Sequence, residues 1–504
     1  MELEISCSLE RNADMINTSP QRFQESVLLL AQLPCSSQHY MINFESVITS
    51  AAIYSRVISP MFGAIPVRRS IMSRKYRGLI FPLLIVLSLM FSACGPTSST
   101  TSGHITIQLF FHSGQGPERD ALNATLNAFS ERYPNITVDV VQLPEGRYTD
   151  EVNVAALAHS LPCLLDFDGP TLYNYAWSGY LIPLDKYVSP EMKAGFLPSI
   201  IRQGTYNQHL YSLGQFDSGL GIYANKHYLS EAGVRIPTIN NPWTLTEFNT
   251  ILAKLKNVPG VRYPLDLGMN YGYSDGEWFT YGFSPFVESF GGDLINRSTY
   301  QSASGTLNGP NAVAAMTWFQ SLFKQGYSNP LPADDTDFTS GRSALSWIGH
   351  WVYPAYSQVL GDNLIVLPAP DLGTGAKTGM GSWNWGITSS CKTPDAAWQV
   401  LNFLLSPNEI ARMSDANGAI PARKSVIAQS RLYAPNGPLY VFAQQLQMGI
   451  AEPRPITPAY PAITSAFAQA VVNISVGANV KRELDKAVQE IDQDIKVNQG
   501  YPTG

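Results

Sequence analysis

An α/β fold is predicted, on three observations. The chain has 504 residues, too many for one ordinary core and enough for two or three domains. Strand-like runs alternate with helix-spaced segments after residue 104, the rhythm of a parallel sheet flanked by helices. Hydrophobic residues are 45%, as in globular proteins, while charged residues are only 14%, so Ser, Thr, Asn, Gln and Gly must supply much of the surface. The net charge of −6, with no dense Lys/Arg block in the second half, excludes a nucleic-acid partner, because neutralising phosphates needs clustered cations.

The first sharp signal starts at Met72. A basic segment (Ser73 to Arg77) precedes an apolar run from Leu79 to Phe91 and then Ser92-Ala93-Cys94-Gly95. This is the three-part layout of an export signal at 72–93, too short for a transmembrane span of about 20 apolar residues. Its end resembles a bacterial lipobox, with Phe91 where Leu is usual. That resemblance makes Cys94 an acylated residue anchoring the chain to the membrane; the alternative is an ordinary signal with an incidental Cys. The stretch 94–103 is a Ser/Thr-rich tether. Residues 1–71 show no sustained periodicity and precede a signal that belongs at an N-terminus, so they are expected to be a mis-annotated extension.

The body follows. Ile105 to Phe111 reads as a strand and 112–116 as a loop. Pro117 opens a helix carrying Leu122, Leu126, Phe129 and Tyr133, which Pro134 stops. A second strand runs from Ile136 to Leu143, a helix from Val152 to Ala158, and a short buried strand from Cys163 to Phe167. Gly221 to Ala224 is a strand and Lys226 to Ala232 a helix. Thr244 with Glu247 caps a helix bearing Phe248, Leu252 and Leu255. Gly309-Pro310 and Thr393-Pro394 start two more, and Val480, Leu484, Val488, Ile491 and Ile495 mark the last. Ligands in open α/β sheets sit beyond the C-terminal strand ends, so the loops at 112–118 and 168–173 are site candidates. Eight of the nine Trp fall between Trp243 and Trp398, a concentration beyond ordinary core use.

Of the five Cys, none forms a CxxC, so no zinc or thioredoxin-like site is indicated. Cys163 and Cys391 are expected to be separate buried thiols, with pairing left open. No cofactor and no metal are called for.

The run ITIQLFFHSGQGPERDALNATLNAFSERYPNITVDVVQLP at 105–144 resembles the opening of family 1 extracellular solute-binding proteins, the maltose-type and glycerol-phosphate-type components of ABC importers. Asp166 to Pro170, Ser178 to Asp185, Gly221 to Lys226, Pro242-Trp243-Thr244, Phe290-Gly291-Gly292, Gly341 to Ala344, Gly349-His350-Trp351 and Gly381 to Gly386 resemble later blocks in the same order. The resemblance covers about 105–425. It implies two α/β lobes with a ligand cleft between them, the class II periplasmic-binding-protein arrangement. Lobe 1 is expected at 104–215 plus 386–445 and lobe 2 at 217–385 plus 446–504. It further implies a monomer that closes on a sugar or oligosaccharide and presents it to ABC permease subunits.

Sugars offer apolar faces to aromatic rings and hydroxyls to carboxylates, amides and Arg. By this resemblance Asp217, Glu277, Trp278, Trp351, Trp383 and Trp385 are expected ligand contacts, with Gln115, Glu118, Asp168 and Gly169 from lobe 1 and Arg454 as a late contributor. Glu118 would in any case stabilise a helix N-terminus. Two other classes remain. Gly272-Tyr273-Ser274-Asp275-Gly276 fits the G-x-S-x-G elbow of serine hydrolases, with Asp334 and His350 downstream, but the segment after it is expected to be too Gly/Pro-broken for the helix an elbow needs. A carbohydrate hydrolase would use a carboxylate pair such as Asp217 and Glu277. A glycan-binding surface lipoprotein would share the cleft without a permease.

Overall fold

The computed structural model describes residues 104–502 apart from position 275. The extension, the signal, Cys94 and the tether therefore lie outside the described residues.

The chain opens with β1 (Ile105–His112), α1 (Gly116–Arg132), β2 (Ile136–Leu143), α2 (Glu145–Leu157) and β3 (Leu164–Asp168). β1 pairs in parallel with β2 and β3, as the alternation requires. Ile107, Leu109 and Phe111 pack with Leu122, Leu126 and Phe129 of α1 on one face. Leu165 and Phe167 pack with Tyr148 and Val152 of α2 on the other. The sheet is buried on both sides, which is why its strands read as near-continuous apolar runs. α2 starts seven residues before the expected Val152. Its first turns are polar and held by an Arg147–Glu151 ion pair at 2.6 Å, so apolar spacing could not reveal them.

Further strands are β4 (Ser212–Leu213), β5 (Phe216–Asp217), β6 (Leu220–Asn225), β7 (Leu265–Asp266), β8 (Leu345–Gly349), β9 (Leu364–Leu367), β10 (Thr378–Met380), β11 (Trp383–Ile387), β12 (Ile420–Pro421) and β13 (Ala451–Pro453). Helices used below are α3 (Leu245–Leu255), α4 (Met269–Ser274), α5 (Glu277–Ser289), α6 (Pro310–Lys324), α7 (Pro394–Leu404), α8 (Pro407–Asn417), α9 (Tyr440–Gln447), α10 (Tyr460–Ser475) and α11 (Val480–Val497). The first sheet has the order β2-β1-β3-β11-β4 and the second β9-β6-β8-β7. Each has its own hydrophobic core, the larger one gathering α3, α5, α6, α10 and α11 around the second sheet. Thr244 caps α3 as expected, its hydroxyl accepting from Glu247 N at 3.3 Å. Tyr433, Leu439, Phe442 and Ala443 pack into the larger core, whereas the sequence expectation assigns 386–445 to lobe 1.

Two short ladders tie the crossings between the sheets. β5 pairs antiparallel with β12, and β10 pairs in parallel with β13. At the turn from β10 to β11, Gly381 takes φ +98°, which L side chains rarely adopt, and a Cβ there would meet Gln203 Nε2 at 2.4 Å.

Two expectations are corrected. Cys163 and Cys391 form a disulfide, with Cα atoms 4.3 Å apart. β3 and β11 are antiparallel neighbours, Leu164 opposite Ile387, so the residue before one lies beside the segment after the other. The segment after the G-x-S-x-G match is a helix, α5, despite Pro285 and Gly282. It is buried on every side from Trp278 to Ser289, so packing with Trp347, Phe319 and Trp318 outweighs poor helix propensity.

Candidate functional site

A cavity of about 500 Å³ lies between the two sheets, lined from both. That is the size of an ordinary small-molecule site.

Its first wall sits at the C-terminal ends of β1 and β3. The His112 ring stacks on Trp383 with centroids 3.7 Å apart, and Tyr148 meets the indole edge-on at 5.4 Å. His112 Nδ1 lies 2.5 Å from Asp166 Oδ2, and Nε2 lies 3.6 Å from Glu118 Oε2. Burial opposes charge on His112, but Asp166 and Glu118 outweigh it and raise its pKa well above the usual value. Burial would raise Glu118, yet His112 holds it below the usual range, while burial wins at Asp166 and lifts it to about 6. The imidazole therefore holds the proton between two carboxylates. Glu118 also accepts from Asn417 Nδ2 at 3.3 Å and from Gln115 N at 3.4 Å, so its place at the start of α1 serves the helix as well.

The second wall is aromatic. Trp278 of α5 packs edge-on against Trp351, which follows β8, at 5.8 Å, and Tyr281 lies 6.3 Å from Trp351. Trp278 Nε1 donates to Leu267 O at 3.2 Å, which fixes that ring. Glu277 accepts from Thr464 Oγ1 at 2.7 Å and from Tyr460 Oη, both on α10. Burial, with help from Asp168, raises Glu277 to about 7 against the pull of Arg454.

Arg454 joins the walls just after β13. Its Nη1 and Nη2 clasp Asp168 at 2.5 and 2.7 Å, and Nη1 also reaches Glu277 at 2.6 Å. The guanidinium lies over Tyr281, 4.8 Å from its centroid. Its side chain is 5% exposed, so this cation is paired in a buried setting where breaking one partner is costly.

Of the expected contacts, Gln115, Glu118, Asp168, Glu277, Trp278, Trp351, Trp383 and Arg454 border the cavity. Three lie elsewhere. Asp217 is buried at a crossing, its Oδ1 accepting from Ser218 N at 2.8 Å and Gly381 N at 2.9 Å. Trp385 belongs to the first core, stacked on Phe111 and bonded to Gln215 Oε1. Gly169 donates to Ser382 O, and a Cβ on it would collide with Gln203. Sequence reasoning missed His112, Tyr148, Tyr281, Tyr460 and Thr464, although His112 opens a loop named as a candidate.

The elbow match builds no elbow. Ser274 ends a helix rather than a strand, and its hydroxyl donates to Tyr271 O at 2.8 Å. Asp334 Oδ1 accepts from Thr336 and His350 Nδ1 bonds Asn417 O, so the three do not pair as a triad. The Asp217–Glu277 pair fares no better, since Asp217 does not reach the cavity.

Residues 124–436 match the family profile described as bacterial extracellular solute-binding protein. The galactooligosaccharide-binding protein of Bacillus subtilis is 20% identical over 430 residues, covering 83% of this chain and 97% of its own. The maltotriose-binding protein of Pyrococcus abyssi is 22% identical over 368 residues, covering 70% and 74%. Among solved structures, the GacH receptor of Streptomyces glaucescens superposes with TM-score 0.67 at 22% identity, covering 79% of this chain and 99% of that one. A solute-binding protein of Thermotoga lettingae, bound with α-D-tagatose, gives 0.67 at 20%, covering 78% and 100%. These structural likenesses establish a shared two-lobed α/β fold.

Proposed function

This chain belongs to the family of bacterial extracellular solute-binding proteins, and we propose that its cleft captures a sugar or oligosaccharide for an ABC importer. One observation carries this reading: flat aromatic faces and hydrogen-bonding carboxylates converge on one cavity from two separately cored lobes. Trp383 and Trp351 suit the apolar faces of a pyranose, while Glu118, Asp168 and Glu277 suit its hydroxyls. The names of the relatives point to the same ligand class. A solute touching both walls would favour the closed form by its added contacts, and a permease would read that shape. The family's binding proteins support a capture role over hydrolysis.

We further infer that the chain works outside the cytoplasm, anchored through Cys94. A disulfide persists in oxidising compartments, and one relative, from Streptomyces antibioticus, is itself described as a lipoprotein. Fatty-acid labelling of the native chain that vanishes in C94S would support the anchor, and labelling that persists would sink it.

The direct test is a thermal-shift screen against mono-, di- and oligosaccharides and polyol phosphates. A solute at 100 times its dissociation constant should add about 2.7 kcal/mol. A saccharide hit without ligand consumption supports the reading. Product formation would favour a hydrolase, and a screen in which only polyol phosphates bind would remove the sugar assignment.

A further inference from the structure

His350 stands just past the C-terminal end of β8, the sheet edge at which α/β folds present ligand groups. It borders the cleft, and the chemistry described above leaves it without a task. The residue is 4% exposed, with Phe216 and Trp351 edge-on to it at 5.9 and 5.4 Å. Its Nδ1 lies 2.8 Å from Asn417 O. A carbonyl only accepts, so Nδ1 is the nitrogen that carries hydrogen. Burial holds the imidazole down to about 4, against the opposing influence of Asn417 O and Glu118. The facing charged group is Glu118 of α1, itself tied to His112 of β1; Asn417, Phe216 and Trp351 bring no charge. The ring is therefore neutral at ordinary pH, and Nε2 presents a bare lone pair. Among the described residues, no side chain or backbone group hydrogen-bonds to Nε2.

We propose that His350 is a specificity-determining ligand contact, a neutral acceptor whose Nε2 takes a hydrogen bond from a ligand hydroxyl, with Asn417 as the positioning residue that sets its tautomer. This deepens the saccharide reading of the cleft and rests on it. The cleft carboxylates Glu118, Asp168 and Glu277 are already engaged with His112, Arg454, Thr464 or Tyr460. A lone imidazole acceptor adds selectivity of a different kind. A sugar lacking the matching hydroxyl would leave Nε2 buried and unpaired, and sites built around a buried polar partner reject such analogues strongly.

Nitrogen NMR of the labelled full chain reads the tautomer directly, with the His350 signals assigned by their loss in H350Q. Protonation on Nδ1 near neutral pH is expected, and hydrogen on Nε2, or a charged ring, overturns the proposal. Maltose, maltotriose, galactobiose and mannobiose serve as probes. The tightest of them should shift the Nε2 resonance and bind H350F at least about tenfold more weakly, with H350Q recovering part of the loss. Melting temperatures of both variants separate lost contacts from lost fold. An H350F chain that binds that probe as tightly as the unaltered chain overturns this proposal alone. If no saccharide of the thermal-shift screen binds the unaltered chain, the saccharide reading falls and takes the proposal with it.

Discussion

The two walls of the cleft are built on different principles. The first hangs its groups on strand ends: His112 closes β1, Asp168 closes β3, and Trp383 opens β11 beside them. Its charges are arranged as an acid–imidazolium–acid row within one lobe. The second wall is mounted on helices, with Glu277 and Trp278 on α5 and Tyr460 and Thr464 on α10. Its single carboxylate is held by hydroxyls and by a cation that arrives from a crossing strand. The His112 row is paired within the first wall, whereas Asp168 of the first wall and Glu277 of the second both depend on Arg454. The two walls are thus coupled at one guanidinium.

Substitutions should expose that asymmetry. R454M removes the shared cation and leaves Asp168 and Glu277 facing each other with no countercharge. It should destabilise the chain by about 3–5 kcal/mol, read as a lower urea midpoint. Replacing Cys163 and Cys391 together by Ala touches the first lobe alone and should cost about 2–4 kcal/mol; an unchanged midpoint would mean the bridge adds no constraint. T464V disturbs only the second wall. It takes a hydroxyl from Glu277 and should cost about 1–3 kcal/mol, with little effect on the first-wall network. The last effect concerns acid and is read from a slope rather than a midpoint. His350 has a folded value near 4 against an ordinary 6.5, so it favours the folded state when neutral. Its contribution is complete above about 6.5 and is lost as pH falls toward 4, so H350Q should flatten that part of the stability curve relative to the unaltered chain. Identical acid limbs for the two chains would contradict the burial of this ring.

The first wall was largely legible from sequence. β1, β2 and β3 are strung together by short connections, their apolar runs are unbroken, and the loops after them fall where α/β sheets hold ligands. Glu118 and Asp168 lie in those two loops, and the family resemblance singled them out within them. The second wall was legible only in part. Glu277 and Trp278 came from a family resemblance, while the helix bearing them was dismissed for its Gly and Pro, because propensity cannot register burial on all sides. α10 contributes Tyr460 and Thr464 from almost 200 residues away, and no local pattern announces that meeting. Trp383 and Trp385 look equivalent in sequence. Two residues along a strand move a side chain about 7 Å, enough to carry the second from the cleft into the core. The disulfide was hidden for the same reason: strand order, not spacing, decides which cysteines meet.

That bridge has a consequence for how the molecule would come apart. Cys163 and Cys391 are 228 residues apart in sequence, and the stretch between them contains every strand of the second sheet. The second sheet is therefore drawn out of the first lobe in a loop sewn shut at its neck, and α10 and α11 join its core from beyond the bridge. A single protease cut anywhere within that loop would leave two fragments that still travel as one molecule on a denaturing gel, and only a reductant would let them separate.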